Sequence, residues 1–186
     1  LTQELLASGA DSIAFGPIVA AGPNAALPHA TPTDRKLQRG DLLIIDWGVF
    51  VDDYPSDLTR TFAVGEIDPE LRRIYNTVLL ANEQARQATR PGVSGRDVDT
   101  AARDVIDDAG YGEYFIHRTG HGLGLEIHEP PDASPANRQP LAAGNVFTVE
   151  PGIYLPGRGG VRIEDNVAVI ADGCRTLTSF PRELMT

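Results

Sequence analysis

Apolar residues recur along this chain with two periods, and the change between them separates helical from strand-forming stretches. Leu1, Leu5 and Leu6 carry helical spacing up to the breaker Gly9, so Leu1–Ser8 reads as the tail of an amphipathic helix already under way at residue 1. Ile13–Ala21 is apolar and strand-like, and a loop rich in Pro, Asn and Thr follows from Gly22 to Arg39, carrying His29. Asp41–Val51 is a second apolar run; Asp52, Asp53 and Pro55 turn it into a further strand at Asp57–Val64. Asp68-Pro69-Glu70 is a strong helix start, because Asp caps free N–H groups, Pro fits the first turn and Glu suits the positive end of the dipole. Leu71, Ile74, Tyr75, Val78 and Ala85 then form one face of a helix reaching about Thr89. A second helix is predicted after Ser94, with Asp97 in its first turn, Val98, Ala101, Val105 and Ile106 on one stripe, and Gly110 as its stop.

From Tyr111 onward the pattern shortens to strands at Tyr114–Arg118, Asn145–Glu150, Val161–Ile170 and Arg175–Thr178, with a last short helix near Arg182–Met185. Helices in two blocks without regular strand–helix alternation predict an α+β fold. Pro91-Gly92 and Pro130–Pro140 read as loops, so residues 1–186 are expected to form one domain. Composition then narrows the field. The 186 residues are 41% hydrophobic and 23% charged, a globular balance, and the formal charge of −10 argues against nucleic acid or an anionic membrane as partner. The longest apolar stretches, such as Leu42–Ile45, are far too short to cross a bilayer, and no signal segment opens the chain. The single cysteine, Cys174, has no intrachain partner and fits a reducing, cytoplasmic compartment.

The charged residues inside apolar strands carry the chemistry. Asp46 lies within Leu42–Val51, where an isolated carboxylate is costly unless paired or bound to a cation. The turn at Asp52–Pro55 folds Asp57 back toward it, and two carboxylates in an apolar setting need a proton or a metal between them; a hairpin with one solvated Asp is the alternative. Phe115–Pro130 holds His117, His121 and His128, three of the four histidines, with Gly120, Gly122 and Gly124 bracketing His121. Those glycines suggest a tightly bent backbone that gives the imidazole room. Glu150 and Glu164 sit in strand surroundings, with Arg162 as a candidate ion partner. Four carboxylates and one imidazole suit hard or borderline divalent ions and suffice for two.

Asp46 in Ile44-Ile45-Asp46-Trp47-Gly48, Asp57 in Ser56-Asp57-Leu58-Thr59-Arg60-Thr61, His121, Glu150 in Glu150-Pro151-Gly152-Ile153-Tyr154 and Glu164 in Gly160-Val161-Arg162-Ile163-Glu164-Asp165 follow one order along the chain. In that order they resemble the five metal ligands of the pita-bread metallopeptidases. The sequence is most similar to the Xaa-Pro branch, the Xaa-Pro aminopeptidases and dipeptidases, since His117 stands four residues before His121 and the last motif is of that branch's type. The resemblance implies a curved antiparallel sheet with helices on its outer face. It implies two divalent ions, Mn²⁺ first, with Co²⁺ or Zn²⁺ as alternatives, and hydrolysis of an Xaa-Pro bond by a hydroxide bridging them.

Within that resemblance Asp57 and Glu164 would bridge the metals, Asp46 would complete one sphere, and His121 with Glu150 the other. Glu150 would also relay a proton. His29 and His128 would contact substrate and stabilise the tetrahedral intermediate, and His117 would help bind near the prolyl side. Arg162 would orient Glu164 or a substrate carboxylate, with a structural salt bridge as its alternative; Tyr54 reads as a plain hairpin aromatic. A proline-containing peptide or dipeptide is the expected partner, with a homodimer as a further expectation. Family members carry helical sequence before the segment matching Leu1–Ala10, and most Xaa-Pro enzymes a separate N-terminal domain, so the N-terminal part is expected to be missing. A methionine aminopeptidase-like enzyme and a non-catalytic pita-bread binding module are the rival readings.

Overall fold

The computed structural model describes all residues from Leu1 to Thr186. Its regular elements are α1 (Thr2–Ala7), β1 (Ser12–Ile13), β2 (Ile18–Ala21), β3 (Leu42–Trp47), β4 (Val49–Val51), β5 (Tyr54–Pro55), β6 (Leu58–Ala63), α2 (Pro69–Ala88), α3 (Gly95–Asp108), β7 (Gly120–Gly122), β8 (Glu129–Ala133), β9 (Val146–Val149), β10 (Gly152–Leu155), β11 (Gly159–Arg162), β12 (Asp165–Ile170) and β13 (Gly173–Thr176). The long helices start as their capping residues require. The Asp68 carboxylate accepts from the Glu70 N–H, and Ser94 with Asp97 forms a reciprocal capping box. Both helices lay their apolar stripes on the same core as the strands, which is the α+β arrangement the pattern predicts.

Every strand pair is antiparallel, but the ladders fall into four sheets, ordered β13-β12-β9-β7-β8, β2-β3-β6, β1-β4-β5 and β10-β11. Where β6 of the β2-β3-β6 sheet meets β11 of the two-stranded sheet, a side chain replaces part of the ladder. The Thr61 hydroxyl donates to the Arg162 carbonyl at 2.9 Å and accepts from the Arg162 N–H at 3.1 Å, while the Glu164 N–H donates to the Thr59 carbonyl at 3.1 Å. Alternation along the strands sorts the two faces. Phe147, Val149, Val161 and Ile163 join the core against α2 and α3, and the intervening Glu150, Arg162 and Glu164 line a cavity on the other face.

Several sequence expectations need correction. Tyr114–Arg118 is no strand: a 3₁₀ turn spans Gly112–Tyr114, and the Arg103 guanidinium on α3 takes up the carbonyls of Phe115 and His117, both at 3.0 Å. With those acceptors used, no ladder forms there. No helix forms near Arg182–Met185 either. The carbonyls of Phe180, Pro181 and Arg182 accept from Arg60 Nη2, Arg60 Nε and the Tyr75 hydroxyl, so side chains hold this backbone in an irregular path. Strands β7, β8 and β10 escaped the pattern, β7 and β8 because they are rich in Gly and Pro; β8, with Pro130 and Pro131, lies at a sheet edge, where a missing N–H is tolerated.

The glycines around His121 serve close approach and not a tight bend. None of the three has a left-handed φ, and a Cβ at Gly120 would lie 1.7 Å from the Thr148 carbonyl oxygen, one at Gly122 2.1 Å from that of Glu129. Side chains there would push β7 off both neighbours. Gly120→Ala should therefore lower stability by about 2 kcal/mol or more, read as a reduced urea midpoint at unchanged slope; a midpoint equal to wild type would contradict this packing.

Candidate metal centre

The β3–β6 ladder sets Asp46 opposite Thr59, and the short β4–β5 excursion returns the chain so that Asp57 stands one residue before β6. That excursion turns on Asp52 and Asp53, both with positive φ, as a tight hairpin requires. Strand β7 contributes His121, the end of β9 Glu150, and the junction of β11 and β12 Glu164. Asp57, His121 and Glu164 each offer a ligand atom, all within 4.8 Å of one another. His121 Nε2 lies 3.4 Å from Asp57 Oδ2 and 3.4 Å from Glu150 Oε1. Its Nδ1 donates to the Gly122 carbonyl at 3.1 Å, so the ring is held in the tautomer that leaves Nε2 for a cation.

Asp46 supplies the sharpest indication. Its Oδ2 accepts from Arg162 Nη2 at 2.7 Å, but its buried Oδ1 has no hydrogen-bond partner. A carboxylate oxygen orphaned among other carboxylates is the position a cation would satisfy. The donor set fits hard divalent ions: it is rich in oxygen, has one imidazole and contains no thiolate.

Without a cation Asp57, Glu150 and Glu164 hold their protons tightly. Burial is the largest cause at each: the Asp57 carboxyl is raised to about 6, with the Asp46 charge adding to burial and the His121 bond opposing it. Glu150 is raised to about 7 and Glu164 well above its usual range, burial again leading and neighbouring carboxylates adding to it. His121 is shifted the other way from a buried imidazole's norm. Burial lowers its affinity for a proton, but Asp57, Glu150 and the Gly122 carbonyl together raise it.

Arg162 is buried and largely committed to the protein. Its Nε donates to Thr59 Oγ1, its Nη1 to the Pro28 carbonyl and the Tyr154 hydroxyl, and its Nη2 to Asp46. Thr59 Oγ1 donates in turn to Glu164 Oε2 at 2.6 Å. The Tyr154 hydroxyl lies 2.8 Å from His117 Nε2, whose Nδ1 donates to the Arg118 carbonyl, so Tyr154 donates to a neutral His117. Burial, foremost, pushes His117 down to about 4.

The helices reach this floor from behind. Asn82 on α2 donates to the carbonyls of Val149 and Ile163, the residues before Glu150 and Glu164, at 3.0 and 3.2 Å. Asp99 on α3 accepts from the Thr119 N–H and hydroxyl, and the Thr119 carbonyl receives the Glu150 N–H. Sequence reasoning passed over Tyr154, Thr59, Asn82 and Asp99; the one available signal was a polar residue on an otherwise apolar helix stripe at Asn82 and Asp99. All nine residues nominated from sequence, His29, Asp46, Asp57, His117, His121, His128, Glu150, Arg162 and Glu164, line a single cavity of about 370 Å³. His29 and His128 stand at its exposed rim, the His128 ring 4.0 Å from that of His121. Tyr54 is solvent-exposed on its hairpin, as expected.

Four carboxylates and an imidazole held by antiparallel strands, with further histidines around the cavity, make a candidate metal centre of the kind found in metallohydrolases. The chain belongs to metallopeptidase family M24, whose model matches residues 1–171. It is 47% identical over 178 residues to an Xaa-Pro dipeptidase of Pyrococcus furiosus, covering 96% of this chain and 51% of that protein. Among solved structures, a prolidase from Thermococcus sibiricus superposes with a TM-score of 0.94 at 50% identity, covering 96% of this chain and 48% of the other. An X-Pro aminopeptidase from Thermotoga maritima gives 0.96 at 43%, covering 99% and 52%. These likenesses bear out the pita-bread fold and the Xaa-Pro branch; the chain spans about half the length of the curated relatives it matches. No helix is long and apolar enough to cross a membrane.

Two outcomes are expected. Asp57 and Glu150 bind protons more tightly folded than unfolded, where carboxyls titrate near about 4, so the metal-free fold loses stability as pH rises through about 6 and about 7. A divalent cation binds the ionised forms, so its increment to Tm should grow between about pH 5 and about pH 8; a flat or falling increment would count against the site. Asn82→Leu, close to isosteric, should weaken calorimetric metal binding about tenfold or more as well as lowering Tm, for a lost buried bond of about 1–3 kcal/mol; metal affinity equal to wild type would leave Asn82 a purely structural residue.

Proposed function

We propose that this chain is the catalytic part of a metal-dependent Xaa-Pro peptidase, hydrolysing the bond before proline at the N-terminus of peptides or in dipeptides. The observation that carries it is the orphaned Asp46 Oδ1 beside the Asp57–His121–Glu164 cluster. Asp46, Asp57, His121, Glu150 and Glu164 would hold two divalent ions, with Mn²⁺ favoured by the oxygen-rich donor set and Co²⁺ or Zn²⁺ as alternatives. When bound, such ions supply Lewis acidity and lower the pKa of water toward neutrality.

The chain's own residues do the remaining work. Glu150 lines the cavity with its Oε1 held by the Thr148 hydroxyl at 3.2 Å, placed to take up a proton during bond cleavage. His29 and His128 line the rim of the cavity and would donate to the carbonyl oxygen as charge develops on it. Phe15, Ile18 and Ile127 give the cavity an apolar wall suited to a pyrrolidine ring. Arg162 and His117 act chiefly as struts: the internal bonds of the one keep Asp46 and Glu164 in place, and those of the other fix Tyr154. The lone thiol suits a reducing, cytoplasmic setting.

Metal-loaded protein assayed with Ala-Pro and Met-Ala substrates should cleave the former. Cleavage of Met-Ala alone would make it methionine aminopeptidase-like, and absence of stoichiometric metal after purification with Mn²⁺ would make it a binding module. Asp57→Ala or Glu164→Ala should abolish metal retention and reduce turnover by at least about a thousandfold, a loss comparable to removing a main source of transition-state charge stabilisation; near-wild-type turnover would refute the ligand assignment.

A further inference from the structure

The cavity wall holds two permanent cations, Arg162 and Arg118, and no lysine. Arg162 has no two-donor fork to offer a substrate carboxylate, since four of its five N–H groups go to Asp46, Thr59, Tyr154 and the Pro28 carbonyl. Arg118 is the opposite case. Its side chain is 39% exposed, and its one ionic partner, Asp132, is 33% exposed with the nearest N···O distance at 3.6 Å, beyond hydrogen-bond range. A pair that open and that long is weak and readily exchanged.

Arg118 also stands on a boundary. Together with His128 it lines both this cavity and an adjoining one of about 510 Å³. The adjoining cavity carries the carboxylates Glu129 and Asp132, and Arg118 is its only permanent cation. A carboxylate reaching Arg118 from the catalytic side meets unspent guanidinium donors; one pushed past it meets two like charges.

Resting on the Xaa-Pro reading, we propose that Arg118 binds the free carboxylate of a dipeptide's C-terminal residue and so selects dipeptides over longer chains. The guanidinium fork matches a carboxylate in two-point geometry, and Asp132 keeps it aimed until substrate displaces the pair. A longer peptide presents an uncharged amide at this point and carries its own carboxylate toward the acidic wall beyond.

Ala-Pro and its C-terminal amide separate the alternatives, measured as hydrolysis by the metal-loaded chain and as calorimetric binding to the metal-free chain. Wild type is expected to favour the acid in both KM and Kd. Arg118→Met, which keeps the apolar stem, should cut that acid-over-amide preference by about tenfold or more, the value of a charge-assisted hydrogen bond. Arg118→Lys should restore part of it and shows that any loss is not a folding defect. A preference that survives Arg118→Met, or a wild type that treats acid and amide alike in both measurements, overturns the proposal. Should wild type cleave neither, the Xaa-Pro reading fails, and the binding comparison still decides the role of Arg118.

Discussion

Carboxylates crowded into a dry floor set the terms for the rest of this molecule. Asp46, Asp57 and Glu164 are each no more than 8% exposed, and Glu150 joins them at the cavity. Ionised together they repel, and protonated together they could not hold a cation; the fold must carry this tension in either state. Part is met inside the protein, by Arg162 on Asp46, the Thr59 hydroxyl on Glu164 and His121 between Asp57 and Glu150. What is left over is Asp46 Oδ1, an acceptor with no internal donor, and that residue of negative charge is what a divalent ion would satisfy.

Such a site must be held against its own repulsion, and the holding is done through the backbone from the helical side. Asn82 ties together the peptide groups before Glu150 and Glu164, Asp99 anchors Thr119, which in turn receives Glu150, and buried Arg60 grips the Glu164 carbonyl and Asp165 while clasping the C-terminal segment. Each tie ends one residue from a ligand or on its main chain. These backbone ties position the acidic side chains without drawing on their carboxylate oxygens, and Asp46 Oδ1 is left with no internal donor at all.

The opposite, solvent-facing side is built for exchange. His29 and His128 are exposed, and Arg118 keeps a loose partner. Under the proposed function, rigid charge below would hold metal and replaceable contacts above would admit substrate. The division also separates the two arginines of the cavity, one locked by four internal partners and the other open.

Much of this was legible in the sequence. Asp46 inside an apolar strand, three histidines among glycines and the order of the acidic motifs, together with the family resemblance they carry and from which His29 came, were enough to nominate nine residues that the fold gathers around one cavity. Capping residues and helical stripes likewise placed α2 and α3, since those signals act within a few residues. What the sequence could not reveal depends on partners far along the chain. Arg103 and Arg60 take the carbonyls that would otherwise have made a strand and a terminal helix, the glycines of β7 answer to β8 and β9 on either side, and Asn82 and Tyr154 gain meaning only from what lies across the core. Hydrogen bonds between distant segments leave no periodicity in the chain, so tertiary structure alone decided which polar residues brace the site and which remain free to meet a substrate.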